Sequence, residues 1–162
     1  MTVMKMATIT LRAVQVEDCR LLWQWANDPH VRKAAFNTAP IGWESHQEWF
    51  AGKLEDPSCY MLIAEDENGG PVGQARFDMS WQSAEIHVSV CPAMRGKGYG
   101  SAMIQMAVND LLSRTSIQQV HAFIKPENSK SIAAFERASF QRVGLETVRG
   151  NAALHYIRNR NL

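Results

Sequence analysis

The stretch Val88-Ser89-Val90-Cys91-Pro92-Ala93-Met94-Arg95-Gly96-Lys97-Gly98-Tyr99-Gly100-Ser101 constrains this chain more than any other. Before it, Glu85, His87 and Ser89 alternate with Ile86, Val88 and Val90, which reads as a strand over 84–90. After it, Ile104, Val108, Leu111 and Leu112 recur at helical spacing as far as about Arg114. Glycines at 96, 98 and 100 between a strand and a helix expose successive backbone N–H groups at the positive end of the helix dipole. That arrangement suits a phosphate. One dipole interaction is worth only about 0.3–2 kcal/mol, so the hold must come from several amides acting with Arg95 and Lys97. A P-loop is excluded, because Gly96-Lys97-Gly98 does not supply Gly-Lys-[Ser/Thr]. The dinucleotide fingerprint also fails, because Met103 stands where its third glycine or alanine is required. A glycine-rich turn with exposed basic residues and no ligand is the plainer alternative.

The rest of the chain supplies a mixed architecture. Ile9, Leu11 and Ala13 alternate with polar residues over 8–14, a strand. Asp18 is placed to cap a helix carrying Leu21, Leu22 and Trp25, which Asn27-Asp28-Pro29 ends. A second helix is expected over 44–54, with His46, Trp49 and Phe50 on one side, ended by Asp56-Pro57. Strands follow at 60–65 and 71–78, joined by the hairpin chemistry of Asp66-Glu67-Asn68-Gly69-Gly70. Beyond the long helix come a strand over 117–124 and a helix capped by Asn128 or Ser129 that holds Ile132 and Phe135. Phe140–Leu145 and Ala153–Ile157 close as a hairpin. The order β–α–α–β–β–β–α–β–α–β–β predicts an α/β domain with a mixed sheet covered by helices. No repeat, linker or low-complexity tract divides residues 1–162, so one domain is expected.

Composition narrows function by exclusion. A formal charge of +1 provides no global field for nucleic acid or an anionic membrane. No apolar run approaches the roughly 18–20 residues of a membrane span. Residues 1–7 lack the apolar stretch and cleavage site of a signal peptide, and Met1, Met4 and Met6 read as alternative starts or a short ordered lead-in. Cys19, Cys59 and Cys91 match neither a zinc pattern nor a disulfide framework, so reduced thiols, a cytoplasmic setting and no metal are expected.

Arg95-x-x-Gly98-x-Gly100, preceded by Val88-Ser89-Val90 and Pro92, fits [Gln/Arg]-x-x-Gly-x-[Gly/Ala]. Downstream lie Pro126-Glu127-Asn128, Ser131, Phe135 and Phe140. Together these residues resemble the GNAT N-acetyltransferase superfamily, in element order over nearly the whole chain and in motif between about 85 and 140. The resemblance implies a mostly antiparallel sheet of about seven strands flanked by helices, with a splayed central strand pair, and acetyl-CoA as co-substrate. It implies that Arg95, Gly96, Lys97, Gly98, Tyr99, Gly100 and Ser101 grip the coenzyme A pyrophosphate. Val88 and Val90 would offer backbone to the pantetheine arm, with the N–H near Val90 polarising the thioester carbonyl. Asn128 would hold the pantetheine side, and Ser131 and Phe135 would line the cofactor channel. Phe135 departs from the tyrosine that many members use to protonate the leaving thiolate. A thiol with pKa near 8.5 leaves without an obligatory donor, so the acid stays unassigned.

Acetyl transfer needs a neutral amine. Glu85 stands where related enzymes often carry a base, and a solvent-facing edge glutamate is the competing reading. His87 shares its face and reads as a plain surface histidine. A lysine amine is under about 0.1% neutral at pH 7 while an α-amine is roughly 10% neutral, so a weak base favours low-pKa amines. Asn27-Asp28-Pro29-x-Val31-Arg32, Phe36-Asn37, His46-x-x-Trp49-Phe50 and Gly73-Gln74-x-Arg76-Phe77 resemble acetyltransferases of nucleotide-linked amino sugars, the pseudaminic-acid type. That resemblance places Phe36, Asn37, His46, Trp49, Arg76 and Glu85 around the acceptor, with Arg76 toward nucleotide phosphates. Core packing competes for Trp49 and Phe50, and an ion pair for Arg76. Trp23, Trp25, Trp43 and Trp81 are expected to pack, and Arg158 and Arg160 to form a solvated tail. Two rivals share the fold: a ribosomal-protein-type N-terminal acetyltransferase and a non-catalytic coenzyme A sensor. A homodimer is left open.

Overall fold

The computed structural model describes residues 8–161, so the methionine-rich lead-in at 1–7 lies outside the described residues. Seven strands form one sheet: β1 (Thr10–Ala13), β2 (Cys59–Glu65), β3 (Pro71–Ser80), β4 (Ser83–Val90), β5 (Gln119–Ile124), β6 (Gln141–Val148) and β7 (Asn151–Asn159). Their spatial order is β1-β2-β3-β4-β5-β7-β6. Every neighbouring pair is antiparallel except β4 and β5, which run parallel and are joined through helix α4 (Tyr99–Arg114). A parallel pair needs such a crossover, whereas the other strands are joined by turns or returning helices.

The helices divide between two faces. Helix α4 and helix α5 (Ser129–Arg137) cover one face, where Phe77, Ile86, Val120, Ala122 and Leu154 meet Ile104, Val108, Leu111 and Phe135. Helices α1 (Cys19–Ala26) and α3 (Trp43–Glu55) cover part of the other, packing Leu22, Trp25 and Phe50 on Met61 and Ile63. Because strand side chains alternate, β2 sends Met61 and Ile63 to one layer and Leu62 and Ala64 to the other. No helix among the described residues is long and apolar enough to cross a membrane.

Three expectations are corrected. Asp18 stands at the N-cap position of α1 but its side chain caps nothing there. Its carboxylate accepts from both terminal nitrogens of Arg12, at 2.8 and 2.9 Å, and from the Gln15 amide, closing the 3-10 turn Val16–Asp18. Trp81 does not pack; it is 91% exposed in the β3–β4 turn with φ of 56°. Arg158 and Arg160 are not a solvated tail. Arg160 donates to the carbonyls of Thr115 and Ile117, and Arg158 to the Asn109 side chain, tying β7 to the end of α4. The Asn27-Asp28-Pro29 segment ends α1 as expected, but it also starts a further helix, α2 (Pro29–Ala34). Asp28 accepts from the amides of His30 and Val31, and Pro29 fills a first-turn position that needs no N–H.

One glycine is demanded by packing. A Cβ on Gly73 would lie 2.4 Å from the Ser89 carbonyl oxygen and 2.7 Å from Met103 Cε. Gly73→Ala is therefore expected to push β4 away from β3 and destabilise the protein by about 1–3 kcal/mol in urea unfolding. A midpoint equal to wild type would show that β3 and β4 can separate without cost.

Candidate active site

A cleft of about 1960 Å³ opens where β4 and β5 part. The two strands pair only from Ser83/Gln119 to Glu85/His121 and then separate. The Cys91 amide donates to the Val72 carbonyl, so ladder alternation turns the backbone groups of residues 85, 87 and 89 toward β3. Those of Ile86, Val88 and Val90 consequently point across the gap toward β5, beyond the last paired rung.

At the end of β4 the chain passes through a 3-10 turn (Pro92–Met94) and enters α4. Gly96 and Gly98 adopt φ of 75° and 81°, a region that other residues enter only with strain. The first amides of α4, from Tyr99, have no partner within the helix and face the same cleft. Gly100 is less demanding: a Cβ there would meet Ala134 at 3.6 Å and Val90 at 3.8 Å, ordinary contact distances. Across the cleft, Asn128 caps α5 by accepting from the Ser131 amide at 3.3 Å. Ser131 and Phe135 line the wall, Phe135 only 5% exposed and edge-on to Phe140. Lys97 does not line the cleft and lies exposed beside Met94. Arg95 is committed to Asp28, 2.6 Å away, so the glycine turn is tied to the cap of α2. The hydrogen bond from Arg95 and those from the Val31 and His30 amides, acting against burial, hold the Asp28 carboxyl below its ordinary range.

The other arm of the cleft continues into a side cavity of about 300 Å³. Phe36, Arg76, Asp78, Glu85, His87, Phe123 and Arg149 line it. Arg32 holds the loop that carries Phe36 and Asn37 by donating to the carbonyls of Asn37 and Ala39. From β7, Asn151 donates to the Phe36 carbonyl. Arg76 binds Asp78 at 3.2 Å and lies 5.1 Å above the Trp49 ring, so it is both ion-paired and stacked. Trp49 remains 38% exposed while Phe50 is buried. His46 lines the cleft and also packs: it is 3% exposed, stacked on Phe50 and Trp43, with Nε2 on the Cys19 carbonyl.

His87 is more than a surface histidine. Its Nε2 lies 3.3 Å from Glu85 Oε2 and 3.4 Å from Asp78 Oδ2. Burial opposes its charge, but the two carboxylates outweigh that and raise its pKa. The same imidazole is the main cause that lowers Glu85, and with Arg76 and Lys53 it holds Asp78 far below the carboxylate range. Asp78, Glu85 and His87 have the spacing of metal ligands, but Lys53 at 2.9 Å and Arg76 already neutralise Asp78. A raised histidine pKa contributes stability that is fully present below the unfolded value of about 6.5 and is lost as pH rises through the folded value. The thermal midpoint of wild type should therefore exceed that of His87→Asn most near about pH 5.5, and the gap should narrow above about pH 7. A gap that widens with pH would contradict this ion cluster.

Asp78, Phe123 and Arg149 were not singled out from sequence, and Asp28 was named there without its partner Arg95. The signal for Asp78 was present, because Gln74, Arg76 and Asp78 alternate on one face of β3. Only the register Asp78↔Glu85 sets it beside Glu85.

Residues 8–141 match the family model described as "Acetyltransferase (GNAT) domain". Over 120 residues, 70% of this chain and 72% of the relative, the sequence is 32% identical to "Putative phosphinothricin acetyltransferase YwnH" of Bacillus subtilis (strain 168). The fold resembles the crystal structure of spermidine N-acetyltransferase from Vibrio cholerae in complex with CoA and spermine, with TM-score 0.85, 19% identity, and 93% and 95% of the two chains covered. It also resembles aminoglycoside acetyltransferase AAC(6')-Ib in complex with coenzyme A and kanamycin, with TM-score 0.83, 23% identity, and 94% and 95% covered. At those identities the two structures speak to fold.

Proposed function

The chain belongs to the GNAT acetyltransferase family and is an acetyl-CoA-dependent N-acetyltransferase, and on that premise we propose that its acceptor is a small amine bearing an anionic group, the amino sugar of a sugar nucleotide. The observation that carries this reading is the side cavity, where the Glu85 carboxylate faces arginines at 76 and 149. A carboxylate attracts the ammonium end of an acceptor, and guanidinium groups recognise phosphate or carboxylate at the other end. A cavity of about 300 Å³ holds a sugar ring, leaving the nucleotide in the open cleft against Trp49 and Phe36. A second reading, an amino-acid-like amine, is favoured by the YwnH relative, which is named for phosphinothricin.

In this mechanism the amides from Gly96 to Ser101 hold the pyrophosphate, and the backbone of Val88 and Val90 pairs with the pantetheine arm. The Val90 N–H donates to the thioester oxygen as negative charge develops there. Asn128, Ser131 and Phe135 bound the channel on the α5 side. Glu85, kept ionised by His87, takes the ammonium proton directly or through one water, and the neutral amine attacks. The Arg95 side chain acts here by positioning the turn through Asp28, and Lys97 supplies charge from outside the cleft. Phe135 cannot donate a proton, so the acid that meets the departing thiolate stays unassigned. The three unpaired cysteines support a reducing, cytoplasmic setting. Residues 1–162 act as one domain in this reading.

The deciding experiment measures coenzyme A release with amino-sugar nucleotides, phosphinothricin, polyamines, aminoglycosides and peptide N-termini. Turnover of an amino-sugar nucleotide supports the acceptor assignment. Turnover of phosphinothricin alone selects the second reading, and turnover confined to polyamines or peptides removes both.

A further inference from the structure

The last rung of the β4–β5 pairing joins Glu85 to His121, and adjacent register partners project on the same side of a sheet. His121 Nδ1 lies 2.8 Å from His155 Nε2 on β7, and His155 Nδ1 lies 3.0 Å from Glu146 Oε1 on β6. A carboxylate only accepts, so His155 carries its proton on Nδ1 and its Nε2 is an acceptor. His121 must then donate from Nδ1, which leaves its Nε2 with a lone pair. His155 is 15% exposed and Glu146 49%; Glu85, at the head of the path, is 40% exposed in the open cleft, where bound substrates would cover it. Phe123 stacks on His155 with ring centroids 4.6 Å apart, fixing the ring that sits between the other two.

Acetylation of an ammonium has one proton too many. The reaction R–NH3⁺ with acetyl-CoA gives the amide, the free thiol and one H⁺, which must leave a cleft occupied by both substrates. We propose that His121, His155 and Glu146 form a proton outlet that carries this proton from Glu85 to solvent. Glu85 passes it to His121 Nε2, His121 gives its Nδ1 proton to His155 Nε2, and His155 gives its Nδ1 proton to Glu146. One proton enters and one leaves, and the two imidazoles return to their starting tautomers by exchange with water. At ordinary values an imidazole binds a proton more tightly than a carboxylate; the lowered pKa of Glu85 favours this first step and the lowered pKa of His121 opposes it. Burial and the His155 neighbour lower the pKa of His121, with Glu85 and Glu146 opposing, so His121 receives the proton as a neutral ring. The charged groups around this path are Glu85 from β4, Glu146 from β6, and Arg76, Asp78, His87 and Arg149 around the adjoining cavity.

The outlet rests on the reading of Glu85 as base, and its test separates the two. In dilute buffer, His155→Ala should lower kcat by about tenfold or more with unchanged KM for acetyl-CoA, and added imidazole should restore the rate in proportion to its concentration. Glu146→Gln, an exposed change that keeps an acceptor for His155 but cannot take the proton, should also lower kcat in dilute buffer and recover in concentrated buffer. It remains informative where His155→Ala fails to fold. Wild-type kcat for either variant at low buffer, or a His155→Ala defect that imidazole does not relieve, overturns the outlet. If Glu85→Gln is impaired while both relay variants are fully active, the base stands and the outlet falls. If all three are fully active, both fall.

Discussion

Gly98→Val is expected to abolish measurable coenzyme A binding while leaving the fold intact. Gly98 sits at φ of 81° as the residue that admits the chain to α4, and valine is among the side chains least able to occupy that region. The strain is of order 1–3 kcal/mol, so the turn rearranges rather than accept it, and the amides from Gly96 to Ser101 lose their common aim. Among the described residues nothing lies within 4 Å of a Cβ at Gly98, so the loss cannot be blamed on a clash with the core. Calorimetry should show Kd weakened by at least about 100-fold, a loss of several amide contacts at once. Gly100→Ala provides the contrast. Its Cβ finds ordinary contact distances to Ala134 and Val90, and binding should stay close to wild type. Equal binding by Gly98→Val and wild type would remove the turn from the cofactor site.

Glu85→Gln should lower kcat by about 100-fold or more without changing the affinity for coenzyme A, the mark of a lost proton acceptor rather than lost binding. The substitution keeps the size of the side chain 3.3 Å from His87 and removes only its charge. Because His87 holds the Glu85 pKa below its ordinary value, the carboxylate stays ionised through the neutral range. Any fall in rate between pH 8 and pH 6 then belongs to protonation of the amine and not to Glu85. Retention of wild-type kcat by Glu85→Gln at saturating acceptor would require another base. It would also separate the enzyme from a coenzyme A sensor, which has no rate to lose.

Much of this architecture was legible in the residues. The alternation of Glu85–Val90, the glycines that follow and the helical spacing from Ile104 to Leu111 fixed the strand–turn–helix unit, because local geometry alone decides it. Asn128 was readable for the same reason as one of two candidate caps, with Ser129 the other. Interactions set by distant segments were not readable. Asp18 has a helix-cap residue type and position, yet Arg12, six residues earlier, captures its carboxylate. Arg158 and Arg160 look like a charged tail until β7 is seen to bring them to the carbonyls and the Asn109 side chain at the end of α4. His46 carries a polar side chain on an aromatic face, and only the packing of α3 on α1 shows its ring bound to Cys19. The acceptor side suffered most. Asp78, Glu85 and His87 come from two strands, and His121, His155 and Glu146 from three, so their meeting depends on sheet order and register. The order β4-β5-β7-β6 sets the hairpin of β6 and β7 one strand away from the strand that carries Glu85, with β5 between them, a long-range arrangement that no local pattern encodes.

The most direct measurement is the structure of the protein crystallised with acetyl-CoA. The account predicts the diphosphate on the amides between Gly96 and Ser101, the pantetheine lying along Val88 to Val90 in the gap left by β5, and the acetyl carbonyl oxygen at the Val90 N–H. A cofactor lodged outside that gap, or a diphosphate gripped by side chains with the turn amides unengaged, would contradict it.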